Sequence, residues 1–385
     1  MPWVQLKYYS FAPTLYPAML HSASPDARAG ELVTVYDKEG RPFGAGFYNP
    51  HARVPLRMVH HGEAPFGEDD LVALLDRAVD LRQGMLRLPE ITEAYRVVHS
   101  DGDGLSGLVV DRYADTLSVS VHSLGVWQRL ARWLPHLHAR LGTRREVVEV
   151  EEHIARLERI PRRGADRAPM SPVKIREHEV RYEVDFVAGH KTGFFCDQRE
   201  NRLRLSRWVR APSRVLDLCC YTGGFALAAS VLGKAEEVTG VDLDERAIAQ
   251  ARRNANLNSV RADWVHCDAY SYARQMQRNG RLWDIVVVDP PKLVERRDDV
   301  RAGQMKYEDL NGLAMRLLAP GGLLVTCSCS GLVSEGDFEQ FVIRGARRVE
   351  RRLQFLDRTG AGPDHPVMLH CPESRYLKVL WARVL

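Results

Sequence analysis

Arg214–Phe225, RVLDLCCYTGGF, decides how this chain folds. It opens as a short apolar run, passes through Asp217, then breaks into small residues and glycine before a helical pattern begins. That is how the first strand of a doubly wound α/β sheet hands over to its first helix. The turn lets backbone N–H groups approach a ligand at the helix N-terminus. Every α/β protein needs such a turn somewhere, so the weight comes from the apolar runs downstream of it. A second such run, Glu237–Asp242, ends in an acid about twenty positions on, the spacing that places a carboxylate on ribose hydroxyls. A helical run then covers Ala247–Asn258, and Trp264–Asp268 is again apolar and ends in an acid. Trp283–Lys292 (WDIVVVDPPK) and Gly322–Gly331 (GLLVTCSCSG) complete the set. In an open α/β sheet ligands bind at the carboxyl ends of the strands, so these polar ends are expected to line one crevice.

The glycine pattern is not that of a dinucleotide site. The turn reads CCYTGG, with Cys219 and Tyr221 where GxGxxG would place glycines, and Tyr221 would obstruct a pyrophosphate. Acids ending three successive strands (Asp217, Asp242, Asp268) suit a nucleoside with a cationic tail, which describes S-adenosylmethionine better than NAD.

The chain has 385 residues, room for two or three domains. Its hydrophobic share of 45% and charged share of 27% are those of an ordinary globular protein. No apolar run approaches membrane-spanning length and the N-terminus lacks a signal pattern, so a cytoplasmic protein with no membrane partner is expected. Seven cysteines, two of them adjacent, do not make a disulfide framework, and no Cys/His spacing argues for a metal. A net charge of +4 does not by itself imply nucleic acid. Arginine nevertheless clusters at Arg156, Arg159, Arg162, Arg163 and Arg167, and again at Arg344, Arg347, Arg348, Arg351 and Arg352. Arginine suits bidentate phosphate contacts, and solvated helix faces explain such clusters equally well.

Residues 1–60 read as short strands, Glu31–Tyr36 and Phe43–Tyr48 around the turn at Asp37–Arg41, then Arg53–Val59, in a small β-barrel. Leu71–Leu86 carries apolar residues at helical spacing. Arg96–Tyr113 gives strand, turn and strand; Asp101 and Asp103 lack the spacing of a calcium loop and fit a tight turn. Thr116–His122 (strand), Trp127–Leu141 (helix) and Arg145–Glu151 (strand) complete an α+β unit. Arg156–Pro172 reads as an exposed connection and Val180–Val187 as a strand. In Gly189–Arg202 (GHKTGFFCDQRENR) polar groups crowd one turn before a helix at Arg199–Val209.

Together GHKTGFFCDQRENR, LDLCCYTGGF, VVVDPPKL, TCSCSGL and the terminal DHPVMLHCPESRYLKVL resemble the bacterial large-subunit ribosomal RNA cytosine-5 methyltransferases of the RlmI/RlmO type. The resemblance covers nearly the whole chain. It implies an α/β protein: a PUA-like β-barrel over 1–66, a small α+β domain over 67–170 and a Rossmann-like methyltransferase domain over 171–385. The implied partner is 23S ribosomal RNA, free or in a large-subunit precursor, and a homodimer is an open alternative.

Carbon 5 of cytosine is a poor nucleophile. A thiolate adding to carbon 6 turns the ring into an enamine that can attack a methyl sulfonium. Cys327 and Cys329 of TCSCS are the candidates, two apart and facing one way if the strand continues that far. The family places its nucleophile at Cys329. Asp289 of DPPK is expected at the N3/N4 edge of the base, and Lys292 at a phosphate or beside the thiol. In the cofactor pocket, Asp242 with Leu243 would take the ribose and Asp268 with Ala269 the adenine. Asp217, Asp289 and the turn of Cys219, Tyr221 and Gly223 would face the methionine part. The resemblance adds Gln198 and Arg199, the latter opposite the methionine carboxylate. Two other functions remain open: exocyclic-amine methylation through DPPK without a thiol, and a non-catalytic RNA-binding or assembly role. The target base must leave its stack to reach Cys329.

Overall fold

The computed structural model describes residues 2–161, 171–186 and 193–385. They gather into two compact units: Met1–Val173 with Pro363–Ser374, and Lys174–Gly362 with Arg375–Leu385.

In the first unit, β1 (Trp3–Leu6), β2 (Thr14–Leu15), β3 (Leu20–Ala23), β4 (Glu31–Tyr36), β5 (Pro42–Tyr48) and β6 (Leu56–His61) form one sheet in the order β2-β6-β5-β4-β1-β3. Helix α1 (Glu68–Asp80) continues into a single wide turn at Leu81–Met85. Then come β7 (Ala94–His99), β8 (Leu108–Tyr113), β9 (Thr116–Val121), α2 (Leu124–Leu141), β10 (Arg145–Glu149) and α3 (Glu152–Glu158). These strands form a second sheet, β10-β9-β8-β7. One core serves both sheets: Leu32, Phe47 and Val59 of the first pack with Leu71 and Leu75 of α1 and Trp133 of α2. Asp103 belongs to no metal loop. Its carboxylate takes both terminal nitrogens of the fully buried Arg82, at 2.6 and 2.9 Å. Residues 363–374 enter this unit, where Asp364 accepts the Arg96 N–H at 3.0 Å.

Arg156–Glu158, the start of the stretch read as an exposed connection, instead closes the helix Glu152–Glu158. Glu158 is buried, meeting Arg57 at 3.3 Å, Asn49 at 3.1 Å and the Leu124 N–H at 3.2 Å. Arg156 and Arg159 are exposed, while Arg162, Arg163 and Arg167 lie outside the described residues, as does Lys191.

The second unit begins with the hairpin β11 (Val173–Glu177) and β12 (Val180–Val184), followed by α4 (Arg199–Trp208). After it come β13 (Arg214–Leu218), α5 (Gly224–Val231), β14 (Glu237–Asp242), α6 (Glu245–Leu257), β15 (Asp263–His266), α7 (Ala269–Arg278) and β16 (Trp283–Val288). The unit closes with α8 (Val300–Arg316), β17 (Leu318–Ser328), α9 (Glu335–Arg348), β18 (Leu353–Thr359) and β19 (Lys378–Val384). Its sheet runs β15-β14-β13-β16-β17-β19-β18, parallel except where β19 lies antiparallel to both neighbours. β13 and β16 sit at the centre with helices on both faces, which is why they read as unbroken apolar runs. From β13 the chain proceeds to β14 on one side and later to β16 on the other. The strand order therefore reverses at the carboxyl ends of β13 and β16.

Candidate active site

Each strand end at this reversal point contributes a carboxylate held by its own local structure. Asp217, the fourth residue of β13, is fully buried, and its Oδ2 accepts the Ala226 N–H of α5 at 3.0 Å. Its Oδ1 is buried without a hydrogen-bond partner among the described residues. Asp242 closes β14 and accepts the Tyr221 N–H at 2.8 Å and the Asp244 N–H at 2.9 Å. Asp268 caps α7, taking the Ser271 N–H at 2.9 Å, with Ala269 buried behind it. The turn from β13 to α5 needs left-handed backbone at Cys219, Tyr221 and Gly223. At Gly223 (φ +85°) a Cβ would also sit 2.5 Å from the Trp264 ring, so glycine is required twice over.

The carboxylates act on one another. Burial pushes Asp217 well above the usual carboxylate range, and the charges of Asp289 and Asp242 add to that rise. Burial also raises the Cys219 thiol, with Asp242, Asp289, Asp217 and Asp268 all contributing in the same direction. Acids thus crowd the glycine turn, and a cation placed there would relieve their mutual repulsion.

On the β16 side, Asp289 follows the strand and its N–H donates to Leu218 O at 3.2 Å. Burial, then the charge of Asp197, raises Asp289 to about 7. Gln198, in the short turn before α4, donates to Asp289 Oδ2 at 3.1 Å, and its own oxygen is fixed by Asn201 at 2.6 Å. Asn201 in turn accepts from Thr359 Oγ1 at 2.7 Å. Cys327 lies in β17 with no exposure, and burial together with the charge of Asp289 pushes its thiol well up. β17 ends at Ser328, so Cys329 stands just beyond it, partly exposed, with its sulfur 4.0 Å from the Pro290 carbonyl.

Two groupings result. Asp217, Cys219, Tyr221, Gly223, Asp242 and Asp268 meet around the turn, and Gln198, Asp289, Cys327 and Cys329 meet at the Asp-Pro-Pro corner. Leu243 is 68% exposed beside Asp242. Lys292 is exposed beyond the corner and makes no hydrogen bond or ion pair among the described residues. Arg199 is fully buried and pairs with Glu200 at 3.1 Å. No group of acids, histidines and cysteines suited to a metal occurs among the described residues, and no helix there is long and apolar enough to cross a membrane.

Residues 163–380 match the model of an S-adenosylmethionine-dependent methyltransferase family, and residues 5–61 match a PUA-like domain. The chain belongs to the S-adenosylmethionine-dependent methyltransferases. This methyltransferase is 33% identical over 368 residues to the ribosomal RNA large subunit methyltransferase I of Shewanella denitrificans, covering 93% of the chain and 91% of the relative. The proteins of the same name from Shewanella frigidimarina and Vibrio cholerae are 34% and 33% identical, with the same coverage. A solved methyltransferase complexed with SAH shares the fold at TM-score 0.81 and 21% identity, with both chains covered in full. A SAM-dependent methyltransferase from Streptococcus mutans does so at 0.79 and 21%.

The cofactor of this methyltransferase is S-adenosylmethionine, and the residues fit it. A sulfonium would relieve the mutual repulsion of the acids at the turn, where the buried Asp217 Oδ1 has no hydrogen-bond partner among the described residues. Sequence reasoning passed over Asn201, Tyr307 and Lys378. Only Lys378 left a trace, as a lone lysine in the otherwise apolar run YLKVLWA.

Proposed function

We propose that this methyltransferase transfers a methyl group to carbon 5 of a cytosine in large-subunit (23S) ribosomal RNA, with Cys329 as the ring's transient covalent partner. The substrate class follows the relatives, which carry that name and are aligned along nearly the whole chain. The chemistry rests on one observation above all. A partly exposed thiol stands beside the Asp-Pro-Pro corner, just past the carboxyl end of its strand, and the acids around the cofactor turn stand at or near the carboxyl ends of theirs.

When bound, S-adenosylmethionine supplies an electrophilic methyl group and keeps the electrons of the broken sulfur–carbon bond as a neutral thioether. Asp242 would hold the ribose hydroxyls, Asp268 and Ala269 the adenine, and Asp217 with the Cys219–Gly223 turn the methionine part. Cys329 as thiolate forms a bond to carbon 6, and the carbon 5–carbon 6 electron pair moves into the ring. Asp289, raised to about 7, is about half protonated at neutral pH and donates to N3, which balances that charge. Carbon 5, now enamine-like, takes the methyl group. Loss of the carbon-5 proton to a base then lets the thiolate depart and restores the double bond, and N3 returns its proton to Asp289. Gln198, fixed by Asn201, orients Asp289. The PUA-like sheet and the exposed arginines hold RNA backbone, so binding weakens with salt.

The test is Cys329→Ala. RNA from cells lacking this protein should accept methyl at cytosine carbon 5 from the wild-type chain and none from the variant, while both bind S-adenosylmethionine equally. Full activity of the variant would instead favour exocyclic-amine methylation through Asp289.

A further inference from the structure

Strand β19 pairs antiparallel with β17, and the register sets Lys378 opposite Ser328, one residue before the thiol. Its side chain is only 4% exposed. The Nζ donates to the Ser330 carbonyl at 2.6 Å and the Val333 carbonyl at 2.8 Å. No carboxylate lies within ion-pair distance of it among the described residues. The ionisable groups whose charges reach it are Cys329 and, more weakly, Glu335 at the start of α9. A buried ammonium held only by carbonyl dipoles is costly, and an anion formed nearby relieves the cost.

The same turn is pinned from its other side. Tyr307 of α8 lies 2.9 Å from Ser328 Oγ and 3.1 Å from Ser330 Oγ, and Ser330 Oγ accepts the Val294 N–H at 3.2 Å. The charge of Cys329 also reaches Tyr307 and Cys327, and neither brings positive charge. Lys292 is exposed, where solvent screens its charge.

We propose that Lys378 is a positioning residue for methyl transfer: it fastens the Ser330–Val333 turn and supplies the counter-charge that makes Cys329 a thiolate. This rests on Cys329 being the nucleophile. The thiol proton passes to water and the ammonium keeps its own. Burial draws Lys378 down to about 8, and a negative charge on Cys329 draws it back up.

The experiment measures iodoacetamide alkylation of Cys329 against pH, resolved by peptide mass spectrometry, in the full-length chain. Lys378→Met removes both charge and hydrogen bonds, Lys378→Gln removes the charge but keeps a donor, and Lys378→Arg keeps the charge. Calorimetry with S-adenosylmethionine reports that each variant is folded. The expected result is a thiol profile moved up by a pH unit or more in Met and Gln, about tenfold slower alkylation at pH 7, and recovery in Arg. An unmoved profile in Met or Gln overturns the proposal. The nucleophile is read separately, from the activity of Cys329→Ala, so failure of either idea is told apart from failure of the other.

Discussion

Asp289→Asn should stabilise the methyltransferase unit while disabling it, and the stabilisation should grow with pH. Asp289 is raised from 3.8 to about 7, first by burial and then by the charge of Asp197. A carboxylate with a raised folded-state pKa binds its proton more tightly in the folded chain. Between about 4 and 7 the folded state therefore holds more protons than the unfolded one, and stability falls as pH rises through that window. Three units correspond to about 4 kcal/mol, of which roughly 2.5 kcal/mol falls between pH 5 and pH 8. Asparagine keeps the shape and an acceptor for Gln198 Nε2 but has nothing to ionise. Urea unfolding followed by tryptophan fluorescence, on wild type and variant at both pH values, measures the difference. The variant should gain on the order of 2 kcal/mol more at pH 8 than at pH 5, and methyl transfer should fall on the order of a hundredfold. A gain that is independent of pH, or a loss that grows with pH, would refute the electrostatic account of Asp289.

Gly223→Ala forces a side chain into left-handed backbone and against Trp264. It should cost about 2 kcal/mol of stability and weaken S-adenosylmethionine binding at least tenfold by calorimetry. Asp103→Ala strips the buried Arg82 guanidinium of both its carboxylate bonds. The first unit should lose about 3–5 kcal/mol in a denaturant titration, whereas Arg82→Met with Asp103→Asn should cost much less. Arg347→Ala with Arg352→Ala removes two exposed charges. If this face meets RNA, the slope of log affinity against log salt should become shallower by about one to two in a filter-binding titration, with no change in cofactor affinity.

The strands around the site were legible because their signal is local. β13, β14 and β16 are apolar runs bounded by an acid or by Asp-Pro-Pro; the observed limits of β14 coincide with those read from the residues, whereas β13 runs one residue past the acid expected to end it. The same holds for the turn, whose glycine and small residues announce a helix N-terminus. The helix at Glu152–Glu158 was hidden because its charged residues resemble a solvated loop, and only Asn49, Arg57 and Leu124, far away in sequence, explain the burial of Glu158. Lys378 was hidden for the same kind of reason. Its meaning depends on an antiparallel register between β17 and β19, across about fifty residues that include the segment taken up by the first unit. Cys329 was nameable as a candidate, but its difference from Cys327 depends on where β17 stops. The strand ends at Ser328, leaving Cys327 sealed and Cys329 open.

The most direct measurement uses ribosomal RNA carrying 5-fluorocytosine, whose fluorine cannot leave carbon 5 as a proton does, so that a ring once attacked stays attached. Incubated with the wild-type chain and S-adenosylmethionine, it should give a denaturation-resistant protein–RNA adduct whose digested peptide carries methylated fluorocytidine on Cys329. An adduct on another cysteine, or none from a chain that still methylates ordinary RNA, would contradict the central claim.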